Sequence, residues 1–167
     1  MEYIFIGRIV DTHGIKGELR IFSDFSFKER ILKKDTIIYI GKEKTPEKIM
    51  TYRKHKEYDM VTFENYNNIN QVLKYKKEKV YVLKSDLSLD NNEYLKEDLI
   101  GLFIIKNGKN IGKVEDIEKV SKTNEVIRAI INKKEVLIPY HKDFIKRVDL
   151  ENKEIEFSLI EGMLNEN

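Results

Sequence analysis

The sequence predicts an all-β protein built from two small β-barrels with a few short helices. Short apolar runs separated by turn residues dominate the chain, and long apolar stripes with helical spacing are scarce. Each half holds five or six such runs, a number that suits a small closed barrel. A polar, turn-rich linker at 85–92 divides the halves, so the predicted domains are residues 1–84 and 93–167.

The first half alternates β-branched or aromatic runs with charged stretches. Ser26 and Glu29 have the spacing of a capping box, which predicts a short helix through about Leu32. Asn68 predicts the start of a second helix. The predicted strands cover residues 4–10, 19–22, 36–40, 48–53, 60–63 and 79–83.

The second half begins with a predicted short helix over 93–100, which Gly101 ends. Leu99 and Ile100 on this helix are expected to fill the interior of the second barrel. Asn107-Gly108 predicts a type I′ hairpin turn, because both residues tolerate positive φ. The predicted strands cover residues 102–105, 111–120, 126–131, 136–138 and 155–159.

Composition excludes several classes of chemistry. The chain has no cysteine, which removes disulfides, thiolate metal ligands and cysteine nucleophiles. No apolar run approaches the roughly 18 residues of a membrane helix, and the N-terminus lacks a signal-peptide pattern, so a cytoplasmic protein without membrane contact is expected. Phosphate-loop and nucleophile-elbow motifs are absent and the three histidines are far apart, so no catalysis, cofactor or metal is expected.

Charge is distributed unevenly along the chain. Residues 1–84 contain 18 basic and 12 acidic side chains, a net charge of +6, and the remainder has a net charge of −4. The first half therefore suits a polyanion and the second half a basic partner.

Two segments of the basic half suit contact with RNA. The loop from Thr12 to Glu18 has two glycines in four residues, so its backbone can approach a phosphate closely. The second segment is a short basic run whose flanking Tyr52 and Tyr58 can stack on bases. A tight turn and a solvated loop are the alternative interpretations. The candidate RNA-binding residues are His13, Lys16, Arg20, Arg53, Lys54 and His55.

Taken in order, these segments resemble the RimM family of bacterial small-subunit ribosome maturation factors. The resemblance covers essentially the whole chain, and its most specific part is the opening segment from Gly7 to Leu19. The other matching segments are Arg53-Lys54-His55-Lys56, Asp98-Leu99-Ile100-Gly101, Gly112-Lys113-Val114, Thr123-Asn124-Glu125-Val126, Ile138-Pro139-Tyr140, Val148-Asp149 and Glu161-Gly162-Met163-Leu164.

The resemblance implies a translation-factor-like N-terminal barrel followed by a PRC barrel. It implies binding to the head of the small (30S) subunit, assistance in the assembly and processing of 16S ribosomal RNA, and contact with ribosomal protein nineteen of that subunit. It implies no catalysis, and a monomer is expected. The alternatives are a stand-alone nucleic-acid-binding barrel protein and a small enzyme with a flavin in a barrel pocket.

The start of the second domain departs from the family pattern. The family usually has two adjacent tyrosines there, which are implicated in binding the ribosomal protein, and this chain has Tyr94 and Leu95. Leu95 keeps an apolar surface but lacks the ring and the hydroxyl. The resemblance therefore implies a ribosomal-protein-binding surface made by Tyr94, Leu95 and Leu99.

Overall fold

The computed structural model describes residues 1–158, and two six-stranded sheets account for most of its regular structure. The chain divides into two compact units, the first spanning Met1–Ser88 and the second beginning at Leu89. This division falls within the polar segment at 85–92. The all-β class is confirmed, and each unit has six strands among residues 1–158.

The first unit is a closed antiparallel barrel. Its strands are β1 (Tyr3–His13), β2 (Glu18–Phe22), β3 (Ile37–Ile40), β4 (Thr45–His55), β5 (Tyr58–Phe63) and β6 (Lys79–Leu83). Hydrogen bonding follows the order β1-β2-β5-β4-β3-β6, and β6 pairs with β1 to close the barrel. Alternate strand residues point inward, so the barrel is filled by buried apolar side chains that include Ile4, Ile6, Leu19, Ile21, Ile38, Ile40, Val80 and Val82.

The second unit is a six-stranded sheet packed around its own apolar core. Its strands are β7 (Phe103–Lys106), β8 (Lys109–Lys119), β9 (Glu125–Ile131), β10 (Lys134–Pro139), β11 (Ile145–Asp149) and β12 (Glu154–Phe157). The order is β10-β9-β8-β7-β12-β11, and β12 pairs with β7 in parallel. The core includes Leu99, Leu102, Ile104, Val114, Ile127, Ile131, Ile138 and Ile155.

Two local sequence signals are confirmed in detail. Asn68 caps helix α1 (Ile69–Val72): its side-chain oxygen accepts from the Gln71 backbone N–H at 3.3 Å, and the Gln71 side chain accepts from the Asn68 N–H at 3.2 Å. Asn107 and Gly108 have φ values of 51° and 77°, as a type I′ turn between β7 and β8 requires.

Two expectations about local structure are wrong, and one strand was not predicted. The helix expected from Ser26 is a single 3₁₀ turn, Lys28–Arg30, without a side-chain cap, and the helix expected over 93–100 is a 3₁₀ turn, Lys96–Leu99. Strand β11 was not predicted, and its pairing with β12 contains a register shift between Ile145 and Arg147. Leu159 and the segment 161–164 lie outside the described residues.

Candidate nucleic-acid interface

The candidate site lies on the outer surface of the first barrel, across β1, β2, β5 and β4. Leu19 and Ile21 point into the barrel, so Arg20 between them points outward. Pairing places Arg20 opposite Met60, and Met60 opposite Arg53, so Arg53 points to the same side. His13 and His55 follow by the same alternation on β1 and β4. We call His13, Arg20, Arg53, His55 and Tyr58 the basic face.

Arg20 is the centre of the basic face. Its Nη2 lies 2.9 Å from His13 Nδ1, and its guanidinium carbon lies 5.1 Å from the centre of the Tyr58 ring. A guanidinium only donates, so Nδ1 of His13 accepts and the ring proton is on Nε2, which can donate to a ligand. The His13 and His55 ring centres are 5.6 Å apart. Arg20 Nε is buried and has no hydrogen-bond partner within the described part of the chain.

The electrostatics of the basic face are set by one acidic neighbour. Arg53 donates to both carboxylate oxygens of Glu18, at 2.9 and 2.8 Å. The hydrogen bond with Arg53 lowers the pKa of Glu18, so this carboxylate is charged and partly neutralises Arg53. Burial, followed by the charges of Arg53 and Lys56, lowers the pKa of His55 below its usual value. The lowered pKa favours the neutral form of His55 near pH 7.

The structure brings together four of the six candidate RNA-binding residues. His13, Arg20, Arg53 and His55 share the basic face, and the exposed Lys16 lies in the turn that joins β1 to β2.

Lys54 belongs to a different cluster, because it alternates with Arg53 and His55 along β4. Its ammonium lies 3.7 Å from the carboxylate of Asp59, which is buried. Asp59 also accepts from Lys28 Nζ at 3.0 Å and from the Tyr52 hydroxyl at 2.5 Å. Lys54 therefore lies outside the basic face and its RNA contact stays a prediction, and Tyr52 is likewise held by Asp59.

The second unit buries two of the three residues expected to bind a protein partner. Leu95 is 2% exposed and Leu99 is fully buried, so neither side chain forms a surface that a partner can contact. Asp98 holds this segment by accepting from the Leu95 backbone N–H at 3.0 Å. Leu95 therefore serves the core, and so does Leu99 as expected. Ile100, expected in the core, is 45% exposed.

Tyr94 is half-buried against the core of the second unit, beside a tyrosine that sequence reasoning did not select. Burial raises the pKa of Tyr140 to about 12, and Tyr94, Glu125 and Glu97 contribute further. Burial also raises the pKa of Tyr94. We call Tyr94, Tyr140, Glu97 and Glu125 the acidic–aromatic corner. The Ile138-Pro139-Tyr140 segment could have identified Tyr140 in the sequence, because a tyrosine directly after a strand-ending proline lies at a sheet edge.

The described residues contain neither a candidate metal site nor a candidate membrane-spanning helix. No group of three or more His, Asp or Glu side chains there is arranged to hold a metal ion. No helix of residues 1–158 is long and apolar enough to cross a membrane.

Comparison with known proteins assigns the family. The model of the RimM N-terminal domain matches residues 4–87, and the model of the RimM PRC barrel domain matches residues 96–163. The chain belongs to the RimM family. The RimM N-terminal match covers every residue of the basic face. Tyr94 and Leu95 precede the start of the RimM PRC barrel match.

Three relatives illustrate the similarity. Each is named Ribosome maturation factor RimM. The protein from Shouchella clausii is 34% identical, with 96% of each chain covered. The one from Exiguobacterium sp. is 33% identical, with 99% of each covered. The one from Finegoldia magna is 38% identical, with 98% of this chain and all of the relative covered.

Proposed function

We propose that this protein is a cytoplasmic, non-catalytic ribosome maturation factor that binds the head of the small subunit and assists assembly and processing of 16S ribosomal RNA. Membership of the RimM family supports the general role. The observation that carries the RNA contact is the basic face, where arginine, imidazole and tyrosine groups converge on one outer surface of a barrel. Such a set offers hydrogen-bond donors to phosphate and sugar oxygens and one ring to a base.

Arg20 is the principal RNA contact in this proposal. His13 and Tyr58 fix its guanidinium from two sides, so little side-chain freedom is lost on binding. Its buried Nε lacks a partner among the described residues, so a phosphate oxygen that reached it would gain a charge-assisted hydrogen bond. His13 donates from Nε2, and His55 gains a proton as phosphate approaches.

The acidic–aromatic corner is the proposed contact for ribosomal protein nineteen of the small subunit. Tyr94 and Tyr140 are half-buried rings, and rings of this kind frequently anchor protein interfaces. Glu97 is exposed beside them and suits the lysines and arginines of a basic protein. Leu95 and Leu99 are buried, so they do not contact the partner.

Two contacts on one chain explain assistance without catalysis. Once one unit is bound, the short connection gives the other unit a high effective concentration at its own target. A protein that binds the native arrangement of RNA and ribosomal protein better than other arrangements shifts the population toward it. Release follows when later folding or later proteins occupy the same surfaces.

The RNA contact is tested by exchanging Arg20 for Gln and measuring affinity for purified small subunits and for unrelated RNA. Loss of one phosphate contact lowers affinity about fivefold at ~0.1 M salt and reduces the slope of log affinity against log salt by about 0.7–0.9. The matched control is Lys48→Gln, which removes one surface charge paired with Glu64 at 3.7 Å. Equal affinities of the two variants reject the role of Arg20. Equal affinity of the wild type for small subunits and for unrelated RNA favours a general nucleic-acid-binding barrel.

The protein contact is tested by exchanging Tyr94 for Ala and capturing ribosomal protein nineteen. We expect at least a tenfold weaker affinity, since a central aromatic anchor contributes about 2 kcal/mol or more. Leu150→Ala is the control, because it removes an exposed apolar side chain from the same unit. Equal capture by both variants contradicts the anchor role. Leu95→Ala is unsuitable, because it creates a cavity and lowers stability by about 2–5 kcal/mol.

A further inference from the structure

A second surface of the first barrel combines aromatic rings with cations. Alternation places the outward-facing residues of β1, β6 and β3 between the buried ones. Pairing sets Phe5 opposite Tyr81, and Tyr81 opposite Tyr39, so these three rings stand side by side across three strands. Tyr3 joins them from β1. We call this surface, formed by Tyr3, Phe5, Tyr39 and Tyr81, the aromatic face.

The rings of the aromatic face contact one another edge to face. The Phe5 and Tyr81 ring centres are 5.9 Å apart with an interplanar angle of 73°, and those of Tyr3 and Tyr39 are 5.2 Å apart at 69°. Phe5 is 51% exposed. In an edge-to-face pair on a protein surface, part of the ring face remains accessible to solvent, whereas neighbouring side chains cover it in an apolar core. A flat aromatic ligand can therefore stack on this surface.

Cations surround these rings. Lys44 Nζ lies 4.1 Å from the Tyr81 ring centre and 5.7 Å from that of Tyr3, and Lys79 Nζ lies 6.0 Å from that of Phe5. Arg8 is exposed and pairs opposite Lys79, so it extends the positive charge along β1. Exposed cation–π contacts are weak, so an arriving base can displace a lysine, which then reaches the adjoining phosphate.

Acidic groups lie at one edge of the aromatic face. Glu2 pairs with Lys84 at 3.6 Å, and the charge of Asp86 contributes to raising the pKa of Tyr39, after burial. The cations Arg8 and Lys79 mark the opposite side. A phosphate chain is therefore expected to follow that side, with its bases turned toward Phe5 and Tyr81.

We propose that the aromatic face binds unpaired RNA by stacking bases on Phe5 and Tyr81, while Lys44, Lys79 and Arg8 hold the phosphates. Alternating rings and cations match the alternating bases and phosphates of a single strand. A duplex hides the faces of its bases and offers only phosphates. This contact is separate from the basic face and adds a second RNA site to the proposed function.

Stacking is observed directly with the full-length Phe5→Trp variant. The chain has no tryptophan, so this variant carries a single indole within the aromatic face. Leu137→Trp places the same indole at a position of similar exposure, 52%, in the second unit. A strand of about ten uridines should quench the indole fluorescence of Phe5→Trp and leave that of Leu137→Trp unchanged. Absence of quenching in Phe5→Trp overturns the proposal.

Affinity for the same labelled strand gives the second readout. Phe5→Ala should weaken binding about tenfold, since stacking on one ring is lost. Leu73→Ala, which removes another exposed apolar side chain of the same barrel, should change it less than twofold. Lys79→Gln should reduce the salt slope by about 0.7. Equal affinities of Phe5→Ala and Leu73→Ala overturn the proposal.

Two further outcomes assign the aromatic face to another ligand. Equal quenching of the Phe5→Trp indole by a ten-base-pair RNA duplex means that phosphates alone are recognised at this surface, which overturns base stacking. Self-association of the wild type that Phe5→Ala abolishes, with unchanged affinity for the uridine strand, assigns the surface to a protein contact. Because the indole reports only its own surroundings, failure here leaves the result for Arg20 independent.

Discussion

Removing the charge of Glu18 should increase RNA affinity, which is an unusual outcome for a substitution in a binding surface. Glu18 occupies the Nε–Nη2 edge of the Arg53 guanidinium, accepting hydrogen bonds of 2.9 and 2.8 Å. The Glu18→Gln variant keeps the size of the side chain but frees the guanidinium for a phosphate. Any RNA bound to the basic face would then meet one more available positive charge.

The magnitude follows from counterion release. One more neutralised phosphate steepens the slope of log affinity against log salt by about 0.7–0.9, which corresponds to about five- to eightfold tighter binding at ~0.1 M salt. The stability cost should be small, because Arg53 is 48% exposed and solvent screens the pair. The gain in affinity should vanish near 1 M salt.

The assay is a salt titration of binding to a labelled 16S RNA fragment, with thermal unfolding of each variant as a check. Glu64→Gln is the matched control, since it removes a similar carboxylate that pairs with Lys48 at 3.7 Å on another part of the barrel. Equal affinities of Glu18→Gln and wild type at every salt concentration would refute the reasoning. Weaker binding by Glu18→Gln would show that Glu18 itself orients the RNA contact.

Three further predictions concern stability. Burial is the main cause that holds the pKa of His55 below its usual 6.5, so the unfolded chain binds this proton more readily than the folded protein. The free energy of unfolding should therefore fall as the pH drops below 6.5. His55→Gln should reduce the pH dependence of the urea midpoint, measured between about pH 7.5 and 5. Asp59→Asn should lower the unfolding free energy of the first unit by about 2–4 kcal/mol, because Lys28 loses its buried counter-charge and one of the two acceptor oxygens becomes an amide donor. Gly112→Ala should unfold the second unit selectively, since a Cβ would lie 2.0 Å from the Ile130 carbonyl oxygen.

Controls separate these effects from general damage. Glu64→Gln tests loss of an exposed carboxylate against loss of the buried Asp59, and equal urea midpoints of the two variants would contradict the Asp59 network. Lys113→Ala changes the exposed residue next to Gly112, and an equal loss for both variants would contradict the steric argument. The same pH dependence of the urea midpoint in wild type and His55→Gln would contradict the role of His55 in the pH dependence of stability.

Sequence patterns predicted the fold well where the signal is local. Asn68 as a cap and Asn107-Gly108 as a turn depend on side-chain or backbone preferences of adjacent residues, and both are present as expected. Strand β11 was missed because Arg147 and Asp149 look solvent-exposed in sequence. In the structure Arg147 contacts Asp149 and Glu154 at 3.6 and 3.2 Å, so charged pairs support this strand where apolar side chains were expected.

The composition of the basic face could be predicted only in part. The sequence identified Arg20 and His55, but their proximity depends on the pairing of β2 with β5, which joins residues about forty positions apart. The same alternation that places His55 on this face directs Lys54 to Asp59. The sequence shows Arg53 to Lys56 as one basic run and does not show that neighbouring side chains point to different faces of the strand. Leu95 was misassigned because its burial depends on tertiary packing, which the local sequence does not show.

Sedimentation of a cell lysate, with the protein followed across the gradient, tests the central proposal most directly. We expect co-migration with free small subunits and their precursors, absence from complete ribosomes, and a shift toward the top of the gradient for a variant carrying both Arg20→Gln and Tyr94→Ala. Migration of the wild type with complete ribosomes, or an unchanged profile for the double variant, would contradict it.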